Sequence, residues 1–81
     1  MHKKLTDKEK KLILKITQPL PKRWKYKYSV LYRISQRTVY RELEMFARGE
    51  RTNYPHLVDE IVSDSKKILQ KRKNLLNEFK N

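Results

Sequence analysis

Apolar residues recur along this chain at the spacing of an α-helix, in segments separated by helix breakers. The first segment opens with a capping box, in which Thr6 and Glu9 satisfy each other's backbone amides. A helix is predicted over residues 7–17, with its apolar residues in one narrow sector. Pro19 and Pro21 end it, since each removes a backbone donor and disfavours helical geometry in the preceding residue. The apolar residues of this sector are Leu5, Leu12, Ile13 and Ile16.

Two further helices are predicted between Pro21 and Gly49. Pro21 suits the first turn of a helix over residues 21–33, and Ser35 suits the cap of a helix over residues 35–48. Gly49 can adopt the left-handed conformation that commonly ends a helix. The predicted inward residues are Trp24, Tyr28, Leu31 and Tyr32 in the first of these helices and Val39, Leu43, Phe46 and Ala47 in the second. The aromatic residues, interleaved with lysines, also permit an alternative in which they stack on the bases of a single strand.

A long amphipathic helix is predicted over residues 55–80, where no breaker occurs. Its acids come first and its lysines last, as the helix dipole favours. At about 1.5 Å per residue it extends roughly 35 to 40 Å, more than a small three-helix core can cover. Its second half therefore either folds back over the other helices or contacts a second copy of the chain. The residues predicted for that dimer contact are Leu69, Leu76 and Phe79, in a seam interrupted by Ser65 and Arg72.

The pattern as a whole predicts an all-α fold: a small bundle of three short helices followed by the long C-terminal helix. A chain of 81 residues, 37% of them hydrophobic, supports a single domain over residues 1–81 and leaves no room for a cofactor cavity. Without cysteine there is no thiolate metal site, and His2 and His56 are too far apart to suggest zinc. No cofactor, metal or small-molecule substrate is expected.

Catalysis and membrane insertion find no support in the sequence. It offers no Ser/His/Asp or Cys/His set, so the chain is not expected to be an enzyme. No apolar run reaches the roughly 18 residues that a membrane span needs, and the N-terminus lacks the apolar core of a signal peptide. We therefore expect a protein of the cytoplasm, either of a bacterium or of a phage-infected host.

Charge favours a polyanionic partner. The formal charge of +12, from 21 Lys and Arg against 9 Asp and Glu, exceeds what solubility requires. Residues 21–33 carry five positive charges and no acid, and a second basic run lies at residues 66–73. Residues 49–65 between them are acidic on balance. The molecule is therefore expected to be electrically polar, with one face that repels phosphate.

The outer face of the helix predicted over residues 35–48 has the chemistry of a DNA-reading surface. Arg37 and Arg41 lie one above the other at i and i+4, and a guanidinium can donate two parallel N–H groups to O6 and N7 of guanine. Gln36 carries an amide suited to N6 and N7 of adenine. A basic helix that only faces solvent would have the same composition.

Residues 25–44 resemble the helix-turn-helix of bacterial and phage transcription regulators. The pattern Ile34-Ser35-x-x-Thr38-Val39-x-Arg41 is locally similar to the DNA-binding headpiece of the lactose-repressor family, with Ser29 at that family's small position. Two positions depart from the pattern: Arg33 stands where the turn usually has glycine, and Glu42 stands where an aliphatic residue usually points inward. The departures leave open which side chains of the helix face DNA.

The resemblance implies a division of roles among the residues of this segment. Base contacts are implied for Gln36, Arg37 and Arg41, and backbone contacts for Ser35, Thr38 and Tyr40. Sequence-independent attraction to phosphate is expected from Lys22, Arg23, Lys25, Lys27 and Arg33.

On these grounds we expect a small sequence-specific double-stranded DNA-binding protein that reads the major groove with residues 35–48. Its expected role is that of a transcriptional regulator of a phage or mobile element. The alternative is a packaging or accessory protein that binds nucleic acid without reading it and assembles through its C-terminal helix. RNA and an acidic protein stay open as partners. A membrane is disfavoured, because the last helix lacks interfacial tryptophan.

Overall fold

The computed structural model describes residues 4–80, with side chains through Phe79, and these residues form four α-helices and no strand. The helices are α1 (Asp7–Thr17), α2 (Trp24–Tyr32), α3 (Gln36–Ala47) and α4 (Pro55–Lys80). The prediction of an all-α fold with a long C-terminal helix is confirmed. His2 lies outside the described residues.

Side-chain caps define the starts of α1 and α3. The hydroxyl of Thr6 accepts a hydrogen bond from the Glu9 amide at 3.2 Å, and the Glu9 carboxylate accepts one from the Thr6 amide at 2.8 Å. Ser35 Oγ likewise accepts from the Thr38 amide at 3.0 Å. Each cap satisfies amides that the first turn of a helix leaves without a partner. α3 is therefore anchored at the end that carries Gln36 and Arg37.

α2 begins later than predicted, at Trp24 instead of Pro21. Lys22 and Arg23 form a turn in which the Trp24 amide donates to the carbonyl of Pro21 at 3.1 Å. α2 ends at Arg33, whose backbone is left-handed with φ 55° and ψ 46°. A non-glycine residue in this conformation has a strained Cβ, which is why glycine is usual at such a position.

The core lies where α1, α2, α3 and the first half of α4 meet. Its members come from every helix and from the α1–α2 connection: Ile16, Leu20, Trp24, Tyr28, Val39, Leu43, Leu57, Val58 and Ile61. Three predicted core residues are instead exposed, with exposed fractions of 38% for Leu12, 58% for Leu31 and 41% for Phe46. Helical period predicts the direction of a side chain, but it does not predict how far the neighbouring helix extends.

Glu42 is fully buried beside Val39 and Leu43, on the inner face of α3. Its carboxylate accepts a hydrogen bond from the backbone amide of Tyr54, in the loop that leads into α4. The polar residue at an otherwise apolar position is thus satisfied, and it ties that loop to α3.

The two halves of α4 have different surroundings. Leu57, Val58, Ile61 and Ser65 are buried against the other helices, whereas every residue from Leu69 to Phe79 is exposed. The Arg72 side chain still reaches back to the Pro19 carbonyl at 3.5 Å. Within residues 4–80, the first half of α4 therefore packs on the other helices, and the stretch from Leu69 to Phe79 does not fold back over them. None of the described helices is long and apolar enough to cross a membrane.

Candidate nucleic-acid interface

The residues predicted to read bases lie on the exposed side of α3. Gln36, Arg37 and Arg41 are exposed, while Val39 and Leu43 on the opposite side of the helix are completely buried. Burial of one face and capping by Ser35 hold α3 in a single orientation. Glu42 and Leu43 are both buried, so the exposed face of α3 is the one that carries Gln36, Arg37 and Arg41.

An open groove of about 660 Å³ runs between α3 and the start of α1. The α3 side consists of Gln36, Arg37, Tyr40, Arg41, Glu44 and Arg48. The α1 side consists of Lys4, Leu5 and Lys10, and α2 contributes Lys25. Six of these side chains are cationic and one is a carboxylate, so the groove is strongly electropositive.

Tyr40 and Lys25 connect α3 to α2 within this groove. The Lys25 ammonium lies 5.2 Å from the centroid of the Tyr40 ring and 5.8 Å from that of the Trp24 ring. At these distances an ammonium is attracted to the faces of both rings. Lys25 is thus positioned beside the half-buried Tyr40, while its side chain stays exposed to solvent.

The residues predicted to contact the DNA backbone fall into three groups. Lys25 and Tyr40 line the groove. Ser35 and Thr38 sit at the first turn of α3, with their side-chain oxygens 2.8 Å apart. The remaining four are exposed but lie outside the groove, on α2 and the turns that flank it: Lys22, Arg23, Lys27 and Arg33.

Glu44 lines the groove on the same side as Arg37, Arg41 and Arg48. Within residues 4–80 it forms no ion pair or hydrogen bond with Arg37 or Arg41. Arg48 instead pairs with Glu50, with 3.5 Å between the guanidinium and the carboxylate. The positions of Arg37 and Arg41 therefore depend on the backbone of α3 and not on a neighbouring acid.

Lys4 and Lys10 are the groove residues that sequence reasoning missed. They precede α3 by more than 25 residues, and no motif links them to it. A helical wheel places Lys10 on a flank of α1, but it does not say which helix that flank faces. Packing of α1 against α3 supplied this information.

The acids of α4 lie beside α2. The phenol O–H of Tyr28 donates to the carboxylate of Asp64, which links the two helices. Burial, this hydrogen bond and the charge of Asp64 raise the pKa of Tyr28 well above its ordinary value of 10.0. Burial, Glu60 and Asp59 raise the pKa of Tyr32 in the same way. The negative charge of α4 is thus concentrated near residues that do not line the groove.

The residues predicted for a dimer contact are exposed along the second half of α4. The exposed fraction rises from 45% for Leu69 to 61% for Leu76 and 89% for Phe79. Within residues 4–80, no other helix covers them. The basic run at residues 66–73 lies on the same part of the helix.

No group of three His, Cys, Asp or Glu side chains among residues 4–80 is arranged to hold a metal ion. Comparisons with protein-family models, with curated proteins and with solved structures return no match. The geometry and charge of the groove therefore carry the functional argument.

Proposed function

We propose that this protein binds double-stranded DNA in a sequence-specific manner, with α3 in the major groove. The observation that carries the proposal is the position of Gln36, Arg37 and Arg41 on the exposed face of a capped helix whose other face is buried. A helix held in this way presents the same donors to every duplex, which base readout requires.

The chemistry of these side chains matches base edges in the major groove. Arg37 and Arg41 can each donate two N–H groups to a guanine, and Gln36 can exchange two hydrogen bonds with an adenine. The basic side chains around them supply attraction to phosphate, which depends on salt and not on sequence.

The arrangement of α2 and α3 supports the resemblance to helix-turn-helix regulators. Ser29 is buried in α2, and Arg33 adopts the left-handed conformation that suits the glycine usual at this position. Ile34 is partly buried in the turn between the helices. We extend the proposal on this basis to a transcriptional regulator of a phage or mobile element, acting in the cytoplasm of a bacterium or an infected host.

Selection of bound duplexes from a random pool at physiological salt tests the proposal. We expect an enriched motif, because α3 offers discriminating donors. On the selected duplex, Arg37→Ala and Arg41→Ala should each lose about 1 to 3 kcal/mol of binding free energy and relax preference at one base pair. Binding to single-base variants of the site, measured by fluorescence anisotropy, locates that base pair.

Lys22→Ala is the matched control for these variants, since Lys22 is exposed and lies outside the groove. It should weaken binding to all duplexes alike, without changing base preference. Equal, sequence-independent losses in all three variants would contradict base readout by α3.

The second candidate is a packaging or accessory protein that binds nucleic acid without reading it. The exposed apolar and basic second half of α4 favours this candidate, because it offers an assembly surface apart from the groove. An excess of random DNA at physiological salt separates the two functions. A regulator keeps its selected site, whereas a packaging protein is removed from it. Substitution of duplex RNA in the same assay tests the preference for DNA.

A further inference from the structure

We propose that the groove between the start of α1 and α3 holds one sugar–phosphate strand of the bound duplex, and that Lys4 and Lys10 contact its phosphates. The inference rests on the proposed insertion of α3 into DNA. It adds α1 to an interface that the helix-turn-helix segment alone would confine to α2 and α3.

The dimensions of an α-helix and of the major groove bring a phosphate ridge close to α1. An α-helix with its side chains is about 10 to 12 Å across, and the major groove of B-DNA is about 12 Å wide. A helix inserted there fills the groove, so an element that borders the helix on its exposed side meets a phosphate ridge. The start of α1 borders α3 across the groove that Arg37 and Arg41 line. Lys4 and Lys10 therefore lie where that ridge would pass.

The charge of the groove favours a polyanionic occupant. Six cationic side chains and a single carboxylate line the groove; Arg48 pairs with Glu50, and the carboxylate does not pair with Arg37 or Arg41. Cations gathered around one opening repel each other, and an occupant with regularly spaced negative charge relieves that repulsion. A DNA strand carries one phosphate for about every 3.4 Å of helix axis, which matches a groove lined by several cations.

The other residues that line the groove favour a sugar–phosphate strand over free phosphate. Leu5 and the half-buried ring of Tyr40 add apolar surface between the charges. Deoxyribose offers apolar carbon atoms between successive phosphates, so a sugar–phosphate strand satisfies both kinds of surface. Inorganic phosphate satisfies only the charges.

The test compares Lys10→Ala and Lys4→Ala with Lys8→Ala. Lys8 is an exposed lysine in the first turn of α1 that does not line the groove. The affinity of each variant is measured for the selected duplex and for a random duplex over a series of salt concentrations. Loss of one phosphate contact should weaken binding to both duplexes and reduce the slope of log K against log salt by about 0.9. Lys8→Ala should leave the slope unchanged.

Circular dichroism at each salt concentration shows whether the variants stay folded, and the substituted lysines are exposed, so loss of folding is not expected. Slopes and affinities for Lys4→Ala and Lys10→Ala that equal those of Lys8→Ala would overturn the inference. A polyglutamate peptide is added as a competitor in the same assay. If the peptide binds as tightly as the duplex does, and if Lys4→Ala and Lys10→Ala abolish its binding, the inference is overturned in favour of an acidic protein partner.

The two proposals fail in distinguishable ways. If Arg37→Ala and Arg41→Ala relax base preference while Lys4→Ala and Lys10→Ala change no slope, the groove inference fails and sequence-specific binding stands. If no motif is selected from the random pool, the proposed function fails, whatever the lysine variants do.

Discussion

Arg33 places a long cationic side chain at a backbone conformation that glycine adopts without strain. It is the non-glycine residue with positive φ among residues 4–80, and it ends α2 through hydrogen bonds from its own amide and from the Ile34 amide to carbonyls of α2. The turn that precedes α3 thus keeps a strained residue that is also exposed and cationic. Under the function proposed above, this charge contacts phosphate, and that role accounts for the strain.

Replacing Arg33 with glycine should raise the free energy of unfolding by about 1 kcal/mol, because it removes the clash between Cβ and the backbone. Urea denaturation measures the change. Arg33→Ala is the control, since it removes the same charge but keeps Cβ, and it should give no comparable gain. Equal stabilities of the two variants would show that the charge, and not the backbone, sets the stability at this position.

At the scale of elements, one hydrogen bond joins the middle of α2 to α4. Tyr28 is almost completely buried and donates its phenol proton to Asp64, 36 residues later. The tyrosine belongs to the helix that precedes the turn, and the aspartate to the acidic first half of α4. The contact therefore couples the orientation of α2 to that of the long helix.

This contact predicts a loss of stability at high pH. The pKa of Tyr28 is raised above 10.0 in the folded protein. Its contribution to the free energy of unfolding is therefore complete below pH 10 and is lost as the pH rises from 10 towards the pKa of the folded state. Over that range the unfolded chain releases the tyrosine proton and the folded chain keeps it. The free energy of unfolding therefore falls by about 1.4 kcal/mol per pH unit. Denaturation at a series of pH values on both sides of pH 10 should show a steeper loss for the wild type than for Tyr28→Phe.

Tyr26→Phe is the matched control, at an exposed position on the same helix. Deprotonation of lysines affects all three proteins alike, so only the difference between them reports on Tyr28. If Tyr28→Phe and the wild type lose stability in parallel above pH 10, the buried hydrogen bond has no such role.

At the scale of the whole molecule, the second half of α4 extends beyond the core. The molecule measures 53 × 29 × 19 Å along its principal axes, an elongated shape for 81 residues. The exposed part of α4 carries both apolar side chains and a dense run of lysines. We propose that it pairs with a second copy, and repulsion between the two basic segments should weaken that pairing at low salt.

Sedimentation analysis tests this dimer. Dimerisation should strengthen as salt rises, since screening reduces the repulsion, and also on a palindromic duplex with half-sites about one turn apart. Leu76→Glu should give a folded monomer. Leu14→Glu, at a leucine on α1 with the same exposed fraction of 61%, is the control and should not change the dimer. A wild-type protein that stays monomeric at all salt concentrations and on such a duplex would refute the pairing.

Local sequence patterns predicted the bounds of two helices and the caps of two. α1 and α4 span the residues predicted for them, and Thr6 and Ser35 cap helices as expected, because caps and periodicity depend on residues within four positions of each other. The exposed outer face of α3 follows from the same periodicity. Burial of Leu12, Leu31 and Phe46 was predicted wrongly, since burial depends on what lies opposite a helix.

The sequence by itself determined that four helices form and that α3 buries Val39 and Leu43 and exposes Arg37 and Arg41, as well as the excess of positive charge. Only the tertiary structure decided that Glu42 would bond the Tyr54 amide and that the second half of α4 would stay uncovered. It alone placed Lys4 and Lys10 across a groove from Arg37 and Arg41. The physical reason is that the sides on which helices meet depend on the packing of whole surfaces, which no spacing along a single helix specifies.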